Sequence, residues 1–79
     1  MLQYIQSFIT VYQVRSFTKA ADQLFISQPS VSSHIKHLEA ALGVDLFTRG
    51  KKSEVQRTAA ADLFYPQAQK ILTDRSEER

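Results

Sequence analysis

Residues 17–43 of the chain read FTKAADQLFISQPSVSSHIKHLEAALG, and this stretch predicts a helix, a sharp turn and a second helix. Apolar side chains at helical spacing mark one face of the first helix: Ala20, Ala21, Leu24 and Phe25. Thr18 is the predicted N-cap of this helix. Either Ser27 or Gln28 begins the second helix, with Pro29 in its first turn, where the missing N–H costs no hydrogen bond.

The second helix has an apolar face and a polar face, and the polar face lacks acidic residues. The apolar face is formed by Val31, Ile35, Leu38 and Leu42. The polar face carries Ser30, Ser33, His34 and His37. Gly43 suits the position that follows the C-terminal end. Because the grooves of DNA are bordered by phosphates that repel acidic side chains, this pattern is typical of a recognition helix.

The composition indicates a single, mostly helical domain. The chain has 79 residues, of which 43% are hydrophobic, with two glycines and two prolines, so we expect an ordered core near the lower size limit. The absence of cysteine excludes disulfides and cysteine-based zinc sites. No signal peptide or membrane-spanning run is recognisable, and the expectation is therefore a cytoplasmic protein.

Positive charge is concentrated after the helix–turn–helix. The net charge is only +2, which is too small to indicate a nucleic-acid partner by itself. Residues 47–58 nevertheless carry four basic side chains against the single acid Glu54: Arg49, Lys51, Lys52 and Arg57. This cluster either contacts a phosphate backbone or is simply a solvated basic turn.

Two further elements flank the helix–turn–helix. Residues 2–14 form a first helix with a wide apolar band. Two very short strands around the basic turn form a wing, in which Leu46 and Val55 are expected to close against the helices. In the turn between the two motif helices, Ile26 is expected to point inward.

A last helix is predicted after the N-cap Thr58, with a local bend at Pro66, which removes one backbone hydrogen bond. Its apolar stripe is formed by Leu63, Phe64, Ala68, Ile71 and Leu72. In so small a chain this stripe either folds back on the first helix or pairs with another copy of the chain. We expect pairing, which makes the stripe a dimerisation surface, with residues 73–79 frayed.

One ordered string of residues runs from the turn into the wing: SQPSVS at residues 27–32, then I-x-x-LE-x-x-LG-x-x-LF-x-R, which ends at Arg49. This string resembles the N-terminal winged helix–turn–helix of LysR-type transcriptional regulators, and the resemblance covers essentially the whole chain. It implies a bacterial regulator that binds double-stranded promoter DNA as a homodimer or higher oligomer. It also implies a linker helix from residue 59 to about 76 and a C-terminal domain for a small-molecule effector, which we expect this chain to lack.

The resemblance also implies which side chains contact DNA. Gln28 is expected to read a base, because its amide can form two hydrogen bonds with adenine, and Pro29 is expected to contact a thymine methyl group. The remaining contacts are expected from both motif helices and the wing: Thr18, Ser30, Ser32, Ser33, His34, Lys36, Arg49, Lys51 and Lys52.

The chain departs from the family pattern at three positions. Ser33 stands where many members carry a basic residue, which should weaken non-specific attraction to DNA. Arg57 occupies the usual leucine position after the wing and puts the packing of the second strand in question. Ala61 replaces a glycine and denies close approach of another helix at that point.

Other functions fit parts of the pattern less well. His34 and His37, with Glu39 nearby, suggest a metal site, but no third ligand is placed by the spacing, and a solvated or DNA-facing pair is favoured. Protonation of this pair near neutral pH would make DNA binding modestly pH-dependent. A winged helix used for protein association would show exposed apolar residues at 30–37. No catalytic cluster or phosphate-binding glycine loop occurs, so we expect neither catalysis nor a cofactor.

The sequence therefore predicts a mainly α-helical protein of two parts. Residues 1–58 form a winged helix–turn–helix of three helices and a two-stranded wing, with the helix–turn–helix at about 17–36. Residues 59–79 form a linker helix for dimerisation. The predicted function is sequence-specific DNA binding in transcription regulation.

Overall fold

Four helices and a two-stranded antiparallel sheet make up the part of the chain that the computed structural model describes, residues 2–49 and 55–77. In chain order the elements are α1 (Leu2–Val14), α2 (Phe17–Leu24), α3 (Gln28–Leu42), β1 (Phe47–Arg49), β2 (Val55–Arg57) and α4 (Ala59–Glu77). The predicted fold class is confirmed. Among residues 2–49 and 55–77, none of the helices combines the length and the hydropathy that a membrane span requires.

α1 lies at the centre of the fold and packs against α2, α3 and α4. Ile5, Phe8 and Val11 of this helix are buried. The other elements complete the core with Ala20, Ala21, Val31, Ile35, Leu38, Leu46, Val55, Ala61 and Ala68. Leu42 is 43% exposed, because it lies in the last turn of α3, beyond the buried part of the predicted apolar face.

The turn of the helix–turn–helix differs from the prediction at its two apolar residues. Phe25 ends α2 in the left-handed conformation, with φ 59°, and its side chain is 93% exposed. In this conformation the N–H groups of Phe25 and Ile26 reach the carbonyls of Asp22 and Ala21, at 3.4 and 3.1 Å. These hydrogen bonds satisfy carbonyl groups at the C-terminal end of α2, and in this conformation the side chains of Phe25 and Ile26 point outward. Ile26 is 37% exposed, so the expectation that it points inward is wrong.

Serine residues cap both motif helices. Ser16 is the N-cap of α2, because its side chain accepts a hydrogen bond from the Lys19 N–H at 3.1 Å. The prediction that Thr18 caps this helix is wrong, since α2 already begins at Phe17 and Thr18 lies within its first turn. At α3 the N-cap is Ser27, one of the two predicted residues.

The short sheet is held against the helices by apolar packing and by one carboxylate. Leu46, just before β1, and Val55 of β2 are buried, as predicted. The carboxylate of Glu39 in α3 accepts hydrogen bonds from the N–H groups of Leu46 and Phe47, at 2.8 and 3.3 Å. This contact fixes the start of β1 relative to α3.

α4 folds back onto α1 and still leaves apolar side chains exposed. Ala68 is fully buried, and the Phe64 ring lies 5.1 Å from a phenylalanine ring of α1. Leu72 also packs against this core. These three residues of the predicted dimerisation surface therefore contact their own chain. Leu63 and Ile71 remain 75% and 45% exposed, so folding back and pairing are compatible.

Candidate nucleic-acid interface

The exposed face of α3 forms an open groove without acidic side chains. Its lining residues are Gln28, Pro29, Ser32, Ser33, Lys36, His37 and Ala40. α3 presents this side outward because Val31, Ile35 and Leu38 anchor its opposite side in the core. The fold thus brings five of the predicted contact residues together on one surface, with Lys36 as the basic member.

A pair of serines organises the N-terminal end of α3. The Ser27 Oγ accepts a hydrogen bond from the Ser30 N–H at 3.2 Å and lies 2.9 Å from the Ser30 Oγ. The Ser30 side chain is therefore engaged in the cap, beside the groove rather than in its lining. Gln28 and Pro29 are exposed at this end of the helix, where the helix dipole favours an anion such as a phosphate.

His34 is turned towards α1 rather than the groove. Its Nδ1 lies 2.7 Å from the Oγ of Ser7, a side chain that is only 1% exposed, and so satisfies a buried hydroxyl. The Tyr4 ring packs 4.9 Å from the ring of His34 and 5.0 Å from that of His37. Of the two histidines predicted on the polar face, the structure places His37 in the groove and His34 outside it. Only His34 was among the contacts that the family resemblance implies.

The environment of His34 predicts a pH dependence of stability. Burial lowers the pKa of His34 below its ordinary value, and the charge of His37 lowers it further. Its stabilising contribution is therefore complete above the unfolded-state pKa of about 6.5 and is lost as the pH falls through the lower folded-state pKa. We expect the free energy of unfolding, measured with urea, to fall less between neutral pH and about pH 5 in His34→Gln than in the wild type. An equal fall in both proteins would contradict this assignment.

The predicted contacts outside α3 are less concentrated. Thr18 is exposed in the first turn of α2, and Arg49 is the last residue of β1. Lys51 and Lys52 lie outside the described residues. The structure thus places Thr18 on the surface of the motif and leaves the basic turn of the wing as a sequence-based expectation.

Glu39 is a positioning residue that the sequence pattern did not reveal. Its two partners are backbone N–H groups seven and eight residues further along the chain, and backbone groups leave no signal in a residue pattern. In the described ranges no group of three histidine, cysteine, aspartate or glutamate residues could hold a metal ion. The hydrogen bonds of Glu39 link α3, which carries the groove, to the start of the wing.

The arrangement defines a winged helix–turn–helix, in which α3 presents a polar face to solvent and β1 and β2 form the wing. The model of the family described as "Bacterial regulatory helix-turn-helix protein, lysR family" matches residues 2–62. The chain belongs to this family, and the resemblance read from its motifs is confirmed.

Curated relatives of the chain are transcriptional regulators. The chain is 41% identical over 73 residues to the regulator BenM of Acinetobacter baylyi, a match that covers 92% of this chain and 24% of BenM. It is 44% identical over 71 residues to the Hca operon transcriptional activator HcaR of Escherichia coli, covering 90% of this chain and 24% of HcaR. The chain therefore spans about a quarter of the length of these relatives.

Solved structures share the fold closely. The DNA-binding domain of BenM in complex with catB site 1 DNA superposes with a TM-score of 0.90 at 38% identity, covering 99% of this chain and 86% of that one. The oxidised form of OxyR from Corynebacterium glutamicum gives a TM-score of 0.91 at 34% identity, covering 98% of this chain and 25% of that one.

Proposed function

We propose that this chain binds double-stranded DNA sequence-specifically and acts in bacterial transcription regulation, with α3 in the major groove. The observation that carries the proposal is the acid-free groove on the exposed face of α3. The major groove is about 12 Å wide and admits one α-helix. The similarity to a BenM domain in complex with DNA supports DNA as the partner. The site of action is then the bacterial nucleoid, in the cytoplasm.

The groove residues divide into base-reading and phosphate-binding roles. Gln28 and Pro29 are exposed at the N-terminal end of α3, the part of a recognition helix that contacts base edges. Ser32 and Ser33 carry short hydroxyl side chains suited to phosphate or water-mediated contacts. Lys36, one turn further on, supplies positive charge towards the phosphate backbone.

A homodimer through α4 completes the proposed mode of binding. The support is the exposure of Leu63 and Ile71 on a helix whose other face is already packed against α1. Two paired chains would place two copies of α3 in successive major grooves, about one helical turn apart or a multiple of it, on a pseudo-palindromic site.

A role in protein association is less well supported by the outer face of α3. Among the described residues, the large exposed hydrophobic side chains are Phe25, Ile26, Leu42, Val44, Leu63 and Ile71. None of these lies between residues 30 and 37, where an association surface on this helix would need them. The polar groove is better matched to hydrated phosphates and base edges than to an apolar partner.

The test of the proposal is binding to random duplex DNA at several salt concentrations, followed by selection and sequencing of the retained duplexes. We expect a steep fall of affinity with salt, because bound lysines and arginines release counterions, and an enriched inverted repeat. Salt-dependent binding without an enriched sequence would contradict specificity. Absence of binding at low salt would contradict the proposal as a whole and favour protein association.

Replacing Gln28 with alanine is expected to relax base preference at one position of each half-site. Loss of a two-point amide contact to a base costs about 1–3 kcal/mol on the preferred site and little on other sequences. The measurement is the ratio of specific to non-specific affinity at one salt concentration. Gln67→Ala removes an exposed amide of the same kind from α4 and is the matched control. Undiminished preference in Gln28→Ala would remove this residue from the base-reading role.

A further inference from the structure

Tyrosines of α1 and α4 stack on one another and are joined by hydrogen bonds. The rings of Tyr12 and Tyr65 have centroids 3.9 Å apart and lie within 13° of parallel. The Tyr12 hydroxyl donates to Asp62 Oδ1 at 2.7 Å. The Tyr65 hydroxyl accepts from the side-chain amides of Gln13, at 2.9 Å, and Gln69, at 3.2 Å. Every one of these contacts connects α4 to α1 or braces Tyr65 within α4.

Arg57 of β2 closes the other side of the stack. Its guanidinium carbon lies 4.1 Å from the centre of the Tyr12 ring, a cation–π geometry. The Nε of Arg57 is buried and has no hydrogen-bond partner among the described residues, so the contact with the Tyr12 ring is the directional interaction of this cation. The family resemblance implies a leucine at this position, and an arginine can be accommodated here because its planar cation packs over the Tyr12 ring. The stack runs from the wing through α1 to α4.

Apolar packing by itself defines the angle of α4 only loosely. Ala61, Phe64 and Ala68 pack against the core, but the hydrophobic effect is non-directional and tolerates small rotations of one helix over another. Hydrogen bonds and stacked rings, in contrast, are satisfied in a narrow range of geometries. The polar contacts around Tyr12 are therefore the ones able to select a single orientation.

We propose that the cluster of Tyr12, Gln13, Arg57, Asp62, Tyr65 and Gln69, here called the α4 clamp, sets the angle between α4 and the winged helix–turn–helix and thereby the half-site spacing that a dimer reads. The inference about spacing rests on the proposed function, because it requires two chains paired through α4. Arg57 and Tyr12 are positioning residues in this role, since they act through the orientation of α4.

The protonation state of Tyr12 agrees with the geometry. The pKa of Tyr12 is raised above its ordinary value, chiefly because its hydroxyl donates to Asp62, with burial and the charge of Asp62 adding to the effect. The hydroxyl therefore remains a donor throughout the neutral pH range.

The angle can be measured directly because the chain has no cysteine. Ala40→Cys on α3 and Lys70→Cys on α4, both at exposed positions, accept one spin label each. The distance between the two labels is measured by pulsed electron–electron double resonance. Labelled protein is diluted into an excess of unlabelled protein, so that the measured distance lies within one chain. We expect a narrow distance distribution in the otherwise wild-type chain, and a broadened or shifted one when Tyr12→Phe or Arg57→Leu is added.

The matched control is Tyr4→Phe, which removes the same hydroxyl from the same helix. The Tyr4 ring packs against α3 rather than α4, so this variant should keep the narrow distribution. Circular dichroism establishes that each variant is folded, and Tyr12→Phe keeps the ring and its stack, so it is the milder of the two changes. Distributions as narrow as the wild type, with the same mean, in both clamp variants would overturn the proposal.

A second measurement addresses spacing on DNA. Duplexes carrying the selected repeat with its half-sites moved by about 5 bp, half a helical turn, present the second site on the wrong face. We expect the wild-type chain to discriminate against this spacing and Tyr12→Phe and Arg57→Leu to lose most of the discrimination, with affinity for a single half-site unchanged. Equal discrimination in all three proteins would refute the link to spacing. If the wild type shows no spacing preference while the distance distributions differ, the proposed dimer fails and the clamp angle stands.

Discussion

Replacing Phe8 with alanine is expected to leave the domain unfolded or barely folded. The Phe8 side chain is completely buried, and its ring lies 5.5 Å from Phe47, 5.1 Å from Phe64 and 6.4 Å from Tyr65. One ring of α1 thus contacts β1 and α4 together. Removing it costs about 3–5 kcal/mol, through lost burial and the cavity left behind. A domain of this length has only about 4–12 kcal/mol in total.

Urea unfolding followed by circular dichroism measures this loss, and Phe25→Ala is the matched control. The same chemical change at Phe25, which is 93% exposed, should alter the free energy of unfolding by no more than about 0.5 kcal/mol. A cost at Phe8 below about 1 kcal/mol would mean that the central aromatic cluster does not support the fold.

Placing a carboxylate on the groove of α3 is expected to weaken specific DNA binding strongly without unfolding the protein. Ser33 is exposed in the groove, so Ser33→Glu sets a negative charge against the phosphates and leaves the core untouched. Like charges brought together at an interface cost several kcal/mol, and a loss of about 2–4 kcal/mol corresponds to roughly 30- to 1,000-fold in Kd. The measurement is a binding titration on the selected repeat at constant salt.

Two control variants show whether the loss of binding comes from a negative charge in the groove, from the added bulk, or from a negative charge anywhere on the surface. Ser33→Gln brings similar bulk without charge, and Gln67→Glu adds the same charge on the exposed surface of α4. Both should bind much more tightly than Ser33→Glu, with Gln67→Glu near the wild type. If Ser33→Glu and Gln67→Glu bind equally well, the groove of α3 does not face DNA and the proposed function is wrong.

Two departures from the family pattern acquire different physical meanings in the structure. Ser33 lies in the groove, so the positive charge that the family resemblance implies at this position would belong to the proposed interface. Arg57 lies against the ring of Tyr12, where its planar cation makes a directional contact. The first departure bears on affinity for DNA, and the second bears on the orientation of α4.

Much of the fold could be predicted because the relevant signals lie within a few residues of one another. The spacing of Val31, Ile35 and Leu38 identifies the buried side of α3, because a helix returns to the same side every three to four residues. The same local logic limits the start of α3 to Ser27 or Gln28, of which the structure selects Ser27 as N-cap. The acid-free side of α3, on which five of the predicted contact residues lie, could be predicted for the same reason.

The less predictable features depend on contacts between distant parts of the chain. Ser7 and His34 are 27 residues apart, and Tyr12 and Asp62 are 50 apart, so no local pattern indicates that they meet. The turn at Phe25 shows that backbone hydrogen bonding can expose a side chain whose spacing suggests burial.

Residue patterns alone were enough to predict the order and limits of most helices, the short wing strands, the family and the polar side of α3. The contact of His34 with α1, the hydrogen bonds of Glu39 to the wing, and an α4 that folds back while leaving Leu63 and Ile71 exposed become visible only in the folded chain. The difference lies in the range of the interactions. Helix periodicity and capping act between neighbours in the chain, whereas side-chain hydrogen bonds and ring stacking act between whichever residues the packed helices bring together.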